Sequence, residues 1–139
     1  MAVTERVMEA ATLLLEGEAC TGLGEGAGFT QLEWVRREFL AKLGFEPYPG
    51  TFNLHMNGPD WEEAKRIMAS EAGIAITPEP DFCAAKCFLV VVAGRITGAV
   101  VFPEIASYPS DKFEVVSAVP VRQALGVGDG DRVAVSIVC

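Results

Sequence analysis

The sequence predicts a mainly β fold: a closed or nearly closed barrel of roughly five to seven short strands, with two or three short helices inserted. Three observations point there. The C-terminal half is built from short, β-branched apolar runs separated by turn residues. Helical periodicity is clear in only two segments, too few and too irregularly placed to cover both faces of a parallel sheet. Finally, 139 residues, 50% of them hydrophobic, suffice for one core, so residues 1–139 are read as a single domain without linker, repeat or low-complexity run.

The elements follow in order. Thr4 to Leu15 has a helical start, with Thr4 as cap and Val7, Met8, Ala11 and Leu15 on one side. Its end, from Leu13 to Cys20, reads equally well as a first strand. A glycine cluster occupies Gly22 to Gly28. Leu32, Val35, Phe39 and Leu43 then recur at helical spacing, and Gly44 follows as a C-cap. Phe45 to Gly50 is a turn with two prolines, leading into a short strand, Thr51 to Met56. Asp60 to Ala72 is a second helix with Trp61, Ala64 and Met68 on one face, ended by Gly73. Cys87 to Val92 and Gly98 to Phe102 are strands joined through Ala93-Gly94-Arg95. Phe113 to Val119 is a further strand and Val121 to Leu125 one helical turn. Gly128 to Asp131 is a turn, and Arg132 to Val138 alternates as the last strand.

Composition narrows the function. The net charge is −8 and the pI about 4.6. An acidic surface repels nucleic acid and anionic lipid, so neither is an expected partner. A nucleotide is still compatible, because backbone N–H groups and one metal ion reverse the field locally. No stretch reaches the roughly 18 apolar residues of a membrane span. Met1 to Ala11 carries Glu5, Arg6 and Glu9, unlike a secretory signal, so a cytoplasmic location is expected. Cys20, Cys83, Cys87 and Cys139 show no CxxC pairing and are expected to be reduced thiols. Cys83 and Cys87 with the single histidine, His55, are too few for a zinc site.

Two loops carry chemistry. In Gly22-Leu23-Gly24-Glu25-Gly26-Ala27-Gly28, four glycines permit close backbone approach, and successive N–H groups can form a nest for phosphate oxygens. The spacing is not the dinucleotide fingerprint and the phosphate-loop lysine is absent, so a plain barrel turn is the competing reading. In Pro47-Tyr48-Pro49-Gly50-Thr51-Phe52-Asn53-Leu54, Thr51 and Asn53 share one face of a strand start while Phe52 and Leu54 point to the core. A hydroxyl and an amide oxygen are hard, neutral ligands suited to Mg2+ that also binds phosphate. A polar barrel face is the alternative. Glu114, in an otherwise apolar strand, is either on the solvent side of an edge strand or a site group pointing inward. Arg122 pairs either with phosphate or with Asp129 or Asp131. Phe29, Trp34 and Tyr48 either stack on a ring or belong to the core. His55 reads as a strand residue beside the metal loop.

In order, these motifs resemble the archaeal-type CTP-dependent riboflavin kinases. Four stretches carry the likeness: Gly17-Glu18 through Gly26; Leu43 through Leu54, ending in Pro47-Tyr48-Pro49-Gly50-Thr51-Phe52-Asn53; Gly98 through Pro103; and Phe113-Glu114-Val115-Val116 with Val121-Arg122 and Gly128 to Asp131. Together they cover Leu14 to Val138. The resemblance implies a six-stranded cradle-loop β-barrel. It implies transfer of the γ-phosphoryl group of CTP to the 5′-hydroxyl of riboflavin, giving FMN and CDP. The implied nucleotide contacts are Gly22, Leu23, Gly24, Glu25, Gly26 and Ala27, with Val119, Pro120, Val121 and Arg122. The implied Mg2+ ligands are Thr51 and Asn53, and Glu114 is the implied flavin-contacting acid, in a catalytic role.

The chain departs from the family pattern in places. A basic residue usually follows Gly26; here Ala27 and Gly28 stand before Phe29. Beyond Pro103 the family has a basic-Thr-x-Tyr-like segment against the flavin; here it reads Glu104-Ile105-Ala106-Ser107-Tyr108-Pro109, with the threonine position on Ala106 and a hydroxyl one residue on, at Ser107. The acid that usually follows the arginine is Gln123. Nucleotide and metal positions are thus better kept than acceptor positions. A kinase with another small-molecule acceptor and a non-catalytic nucleotide- or flavin-binding module are the alternatives. Loss of the basic residue at Ala27 favours the module; retention of Thr51 and Asn53 favours catalysis.

Overall fold

A computed structural model describes residues 12–22, 25–80 and 82–139. The helical start expected at Thr4 lies outside these up to residue 11. From Thr12 the chain is a strand, β1 (Thr12–Cys20), contrary to a helix continuing to Leu15. Period two wins there because Leu15, Gly17 and Ala19 alternate inward against exposed Leu14, Glu16 and Glu18.

Two helices follow, α1 (Glu25–Gln31) and α2 (Glu33–Leu43), the latter closed by Gly44 in the left-handed conformation at φ 80°. Then come β2 (Phe52–His55), α3 (Pro59–Ser70), β3 (Ile74–Ile76), β4 (Ala85–Val92), β5 (Ile96–Pro103), β6 (Lys112–Ser117), α4 (Val121–Leu125) and β7 (Arg132–Val138). All pairings are antiparallel, in the order β4-β5-β6-β2-β1-β7, and β7 pairs back onto β4 through Leu89↔Val138 to Val92↔Val135. That closes a six-stranded barrel. The expected barrel is therefore what forms, with β3, which the sequence reading left unassigned, as an extra strand on the N-terminal half of β4.

Closure gives the strands two apolar faces. Inside lie Leu54, Val90, Val100, Phe113, Val115, Val135 and Ile137, and α3 covers this core with Trp61, Ala64 and Met68. Outside, α2 packs Trp34, Val35 and Phe39 on Ile76, Cys87, Ala99, Val101 and Val116. Strands buried on both faces read as continuous apolar runs, which explains why β4 and β5 lack alternation in sequence. Each fully buried side chain of this size contributes about 1.5–3 kcal/mol. β2 and β6 run through the middle of the closed sheet, with β2 between β6 and β1.

All four cysteines are free, and burial pushes the Cys87 thiol up to about 12. Among the described residues no helix is long and apolar enough to cross a membrane.

Candidate functional site

The site grows from the alternation of β2. Phe52 and Leu54 point into the barrel and are buried, while Thr51, just before the strand, and Asn53 take the opposite face. Across the ladder Asn53 pairs with Glu114 of β6, so their side chains share that face. Glu114 pairs in turn with Val101 of β5. β6 is no edge strand, and the Glu114 side chain is only 15% exposed, so the solvent-side alternative does not hold.

The three polar groups interlock. Thr51 Oγ1 donates to Glu114 Oε2 at 3.1 Å. Asn53 Nδ2 donates to Thr51 O and Oγ1, both at 3.2 Å. Asn53 Oδ1 is buried and, among the described residues, has no hydrogen-bond partner. A buried acceptor left unpaired costs about 1–3 kcal/mol, so it calls for an explanation. An unpaired amide oxygen, a hydroxyl whose proton is turned away onto a carboxylate, and that carboxylate form a donor set that suits a hard divalent cation. Among the described residues no three His, Cys, Asp or Glu gather as a metal site, here or elsewhere.

Gly22 is shaped by this pair. A Cβ at position 22 would lie 2.7 Å from Asn53 Nδ2, so only glycine lets the chain end of β1 close over the amide. On the other side, Gly50 at φ 107° turns the Pro49-Gly50 corner and gives its N–H to Thr30 Oγ1 at 2.8 Å. That bond docks α1 against the turn. The glycine cluster was expected as a loop, either a phosphate nest or a plain barrel turn. Instead Glu25, Gly26 and Ala27 begin α1, because Phe29 on the outer core and Thr30 on the turn anchor the helix more strongly than glycine disfavours it. Leu23 and Gly24 lie outside the described residues.

Two cavities meet at Thr51 and Asn53. The larger, about 620 Å³, runs past Phe29, Val101, Ser107, Tyr108, Lys112 and Glu114. The smaller, about 250 Å³, is walled by Tyr48, Val119, Pro120, Val121, Arg122 and Gln123. Gly22, Thr51 and Asn53 line both. Of the acceptor-side positions, Ser107 is on the wall of the larger cavity and Ala106 is not. Arg122 donates to Cys20 O at 3.0 Å and to Asp129 Oδ1 at 2.7 Å, and Thr21 Oγ1 reaches Asp129 Oδ2 at 2.8 Å. The Arg122 guanidinium first, and then the Thr21 hydroxyl, hold the Asp129 carboxyl below its usual range. The stacking candidates divide: Trp34 is core, whereas Phe29 and Tyr48 each line a cavity. His55 is an exposed strand residue, 2.9 Å from Asp111 Oδ2.

Two site residues were not foreseen. Tyr108 donates its hydroxyl to Glu114 Oε1 at 2.6 Å, and Lys112 Nζ stands 3.3 Å from the same oxygen. Burial, and then the bond to Glu114, push the Tyr108 phenol upward, so it remains a neutral donor. Lys112 was legible in principle, since i and i+2 share a strand face; Tyr108 falls on the tyrosine of the family's Thr-x-Tyr-like segment, but its bond to Glu114 has no sequence signal.

The comparisons agree with the motifs. The sequence pattern of the CTP-dependent riboflavin kinase family, described as a domain of unknown function (DUF120), matches residues 19–137. The riboflavin kinase of Archaeoglobus fulgidus is 39% identical over 131 residues, 91% of this chain and 55% of the relative. That of Pyrobaculum arsenaticum is 38% identical over 139 residues, covering 95% and 64%, and that of Methanosarcina barkeri 37% over 129, covering 90% and 56%. The chain thus spans between about half and two thirds of the length of these curated relatives. With the barrel, the interlocked Thr51–Asn53–Glu114 cluster and a match over most of its length, the chain belongs to the CTP-dependent riboflavin kinase family.

Proposed function

We propose that the chain transfers the γ-phosphoryl group of CTP to the 5′-hydroxyl of riboflavin, giving FMN and CDP, with Mg2+ held by Thr51 and Asn53. The observation that carries this reading is the meeting of two cavities at one unpaired acceptor, Asn53 Oδ1. A donor and an acceptor lying in separate cavities would present their reacting ends to each other there. Phosphoryl transfer is largely positioning and charge stabilisation, so a sparse set of side chains is enough.

The roles follow from placement. Gly22 and Val119 to Arg122 line the smaller cavity and, with residues 23–27, are assigned to the nucleotide. The larger cavity, with apolar Phe29, Val101 and Ile105 and polar Ser107, is assigned to the flavin. Ser107 supplies the hydroxyl that Ala106 lacks. When bound, Mg2+ neutralises phosphate charge. Thr51 donates its proton to Glu114 and accepts from Asn53 Nδ2, which leaves one oxygen lone pair that would serve that ion. Glu114 faces the junction and orients or deprotonates the acceptor hydroxyl. Arg122, within reach of the smaller cavity, supplies positive charge where the basic residue expected after Gly26 is missing.

The test is an assay of the purified chain with CTP or ATP, Mg2+ and riboflavin, reading FMN and CDP. FMN formation with CTP that stops when the metal is chelated is the expected result. CTP-dependent stabilisation without FMN would leave another acceptor or a binding module. A ligand at a hundredfold excess over its Kd adds about 2.7 kcal/mol, readily seen in a melt. No stabilisation by any nucleotide would end the proposal.

A further inference from the structure

We infer that Tyr108 is a positioning residue for Glu114: with Lys112 it occupies one oxygen of the carboxylate, so that the other is fixed toward Thr51 and the cavity junction. The inference rests on the phosphoryl-transfer reading above, which gives Glu114 an acceptor hydroxyl to meet. Its support is geometric. The Tyr108 hydroxyl is 2.6 Å from Oε1, the length of a charge-assisted bond between a hydroxyl and a carboxylate. Lys112 Nζ is 3.3 Å from that same oxygen and 5.5 Å from the Tyr108 ring centroid, so phenol, ammonium and carboxylate form one closed contact. Among the described residues the second oxygen, Oε2, receives only the Thr51 hydroxyl, at 3.1 Å.

The last torsion of a glutamate is broad, and an unsupported carboxylate samples it freely. Two donors on one oxygen remove that freedom. The remaining oxygen is then aimed before substrate arrives, the condition under which orientation lowers a barrier. Tyr108 does this from a segment that also forms the wall of the flavin cavity. Acceptor wall and aimed carboxylate are thereby coupled through one hydroxyl.

The experiment is a double-mutant cycle of Tyr108→Phe and Glu114→Gln, assayed for FMN formation, with riboflavin affinity measured separately by flavin fluorescence. Y108F is expected to lower kcat about ten- to hundredfold, the loss of one hydrogen bond to a charged group, while the CTP KM and the flavin Kd stay within about twofold. In the E114Q background Y108F is expected to change nothing further. Equal fold-losses in both backgrounds would show that Tyr108 acts independently of Glu114 and would overturn the inference. So would a Y108F defect confined to flavin affinity. A wild-type chain that makes no FMN would instead sink the underlying reading, and this inference with it. Should Y108F unfold at the assay temperature, Lys112→Met in the two backgrounds makes the same comparison, with a smaller loss expected in the wild-type background and none in E114Q.

Discussion

Asn53 and Glu114 face each other across a ladder of four paired residues, whereas Ser107 and Tyr108 sit on the connection between β5 and β6, which has no strand or helix of its own. The ladder fixes which way each side chain points: one register, one face, and a one-residue slip would bury Asn53 in the barrel. The connection is held by separate ties, such as Glu104 N–H to Ala84 O at 2.8 Å and Trp61 Nε1–H to Ser110 O at 3.0 Å. Ile105 on it is 46% exposed. One half of the site is therefore built into the sheet and the other is laid against it. Substitutions in the first half are expected to act on turnover; in the second, Ser107 is expected to act on the choice and affinity of the acceptor, while Tyr108, bonded to Glu114, acts on turnover.

Asn53→Ala is the hardest blow to the strand-borne half. Its loss removes the unpaired acceptor proposed to hold the metal, and kcat/KM is expected to fall about a hundredfold or more. Stability without ligand should change by no more than about 1 kcal/mol, because the unpaired oxygen costs roughly what the two weak amide bonds and the packing contribute. Thermal melts with and without CTP–Mg2+ separate the two effects. A variant that still gains the full nucleotide-dependent stabilisation would show that Asn53 holds no ion.

Glu114→Gln keeps the shape and removes the charge. Turnover is expected to drop about tenfold to a hundredfold with the CTP KM unchanged, since the group is proposed to face the acceptor. Unchanged turnover would remove Glu114 from the reaction and leave it as a tether for Thr51.

The same division explains what the sequence made legible. Period-two alternation in Thr51-Phe52-Asn53-Leu54 places two polar groups opposite two core residues, and the structure agrees. The barrel was legible because β-branched runs and turn glycines act locally. Glu114 was ambiguous because a strand's own residues do not say whether it is an edge; that depends on β2 and β5 on either side. α1 was missed because its stability comes from Phe29 and Thr30 meeting distant residues, not from a helical pattern in a glycine-rich stretch. β3 was missed because three residues carry no periodicity. The Tyr108–Glu114 bond was invisible because a loop side chain's direction is set by where the chain is pinned, which no spacing encodes.

Ser107→Ala tests the loop-borne half. The riboflavin KM is expected to rise about two- to tenfold, one neutral hydrogen bond's worth, with kcat and the CTP KM unchanged. A fall in kcat instead would mean that Ser107, like its neighbour Tyr108, acts on turnover rather than on flavin affinity.

Asp129→Asn should have the smallest effect. It belongs to neither half but ties Thr21, beside Gly22, to Arg122. The Asp129 carboxyl is held below its ordinary value by Arg122 and then Thr21. A depressed carboxylate adds stability above its unfolded value of 3.8 and loses it as pH falls through the lower folded value. Wild type should therefore melt slightly above D129N at pH 6, and the gap should close only below pH 3.8. The side chain is 59% exposed, so the gap is expected to be small and to shrink with salt. A gap that closes between pH 5 and 7 would point to a different titrating group. A gap that ignores salt would show that the Thr21 hydrogen bond, not the Arg122 charge, is what holds the end of β1 over Asn53.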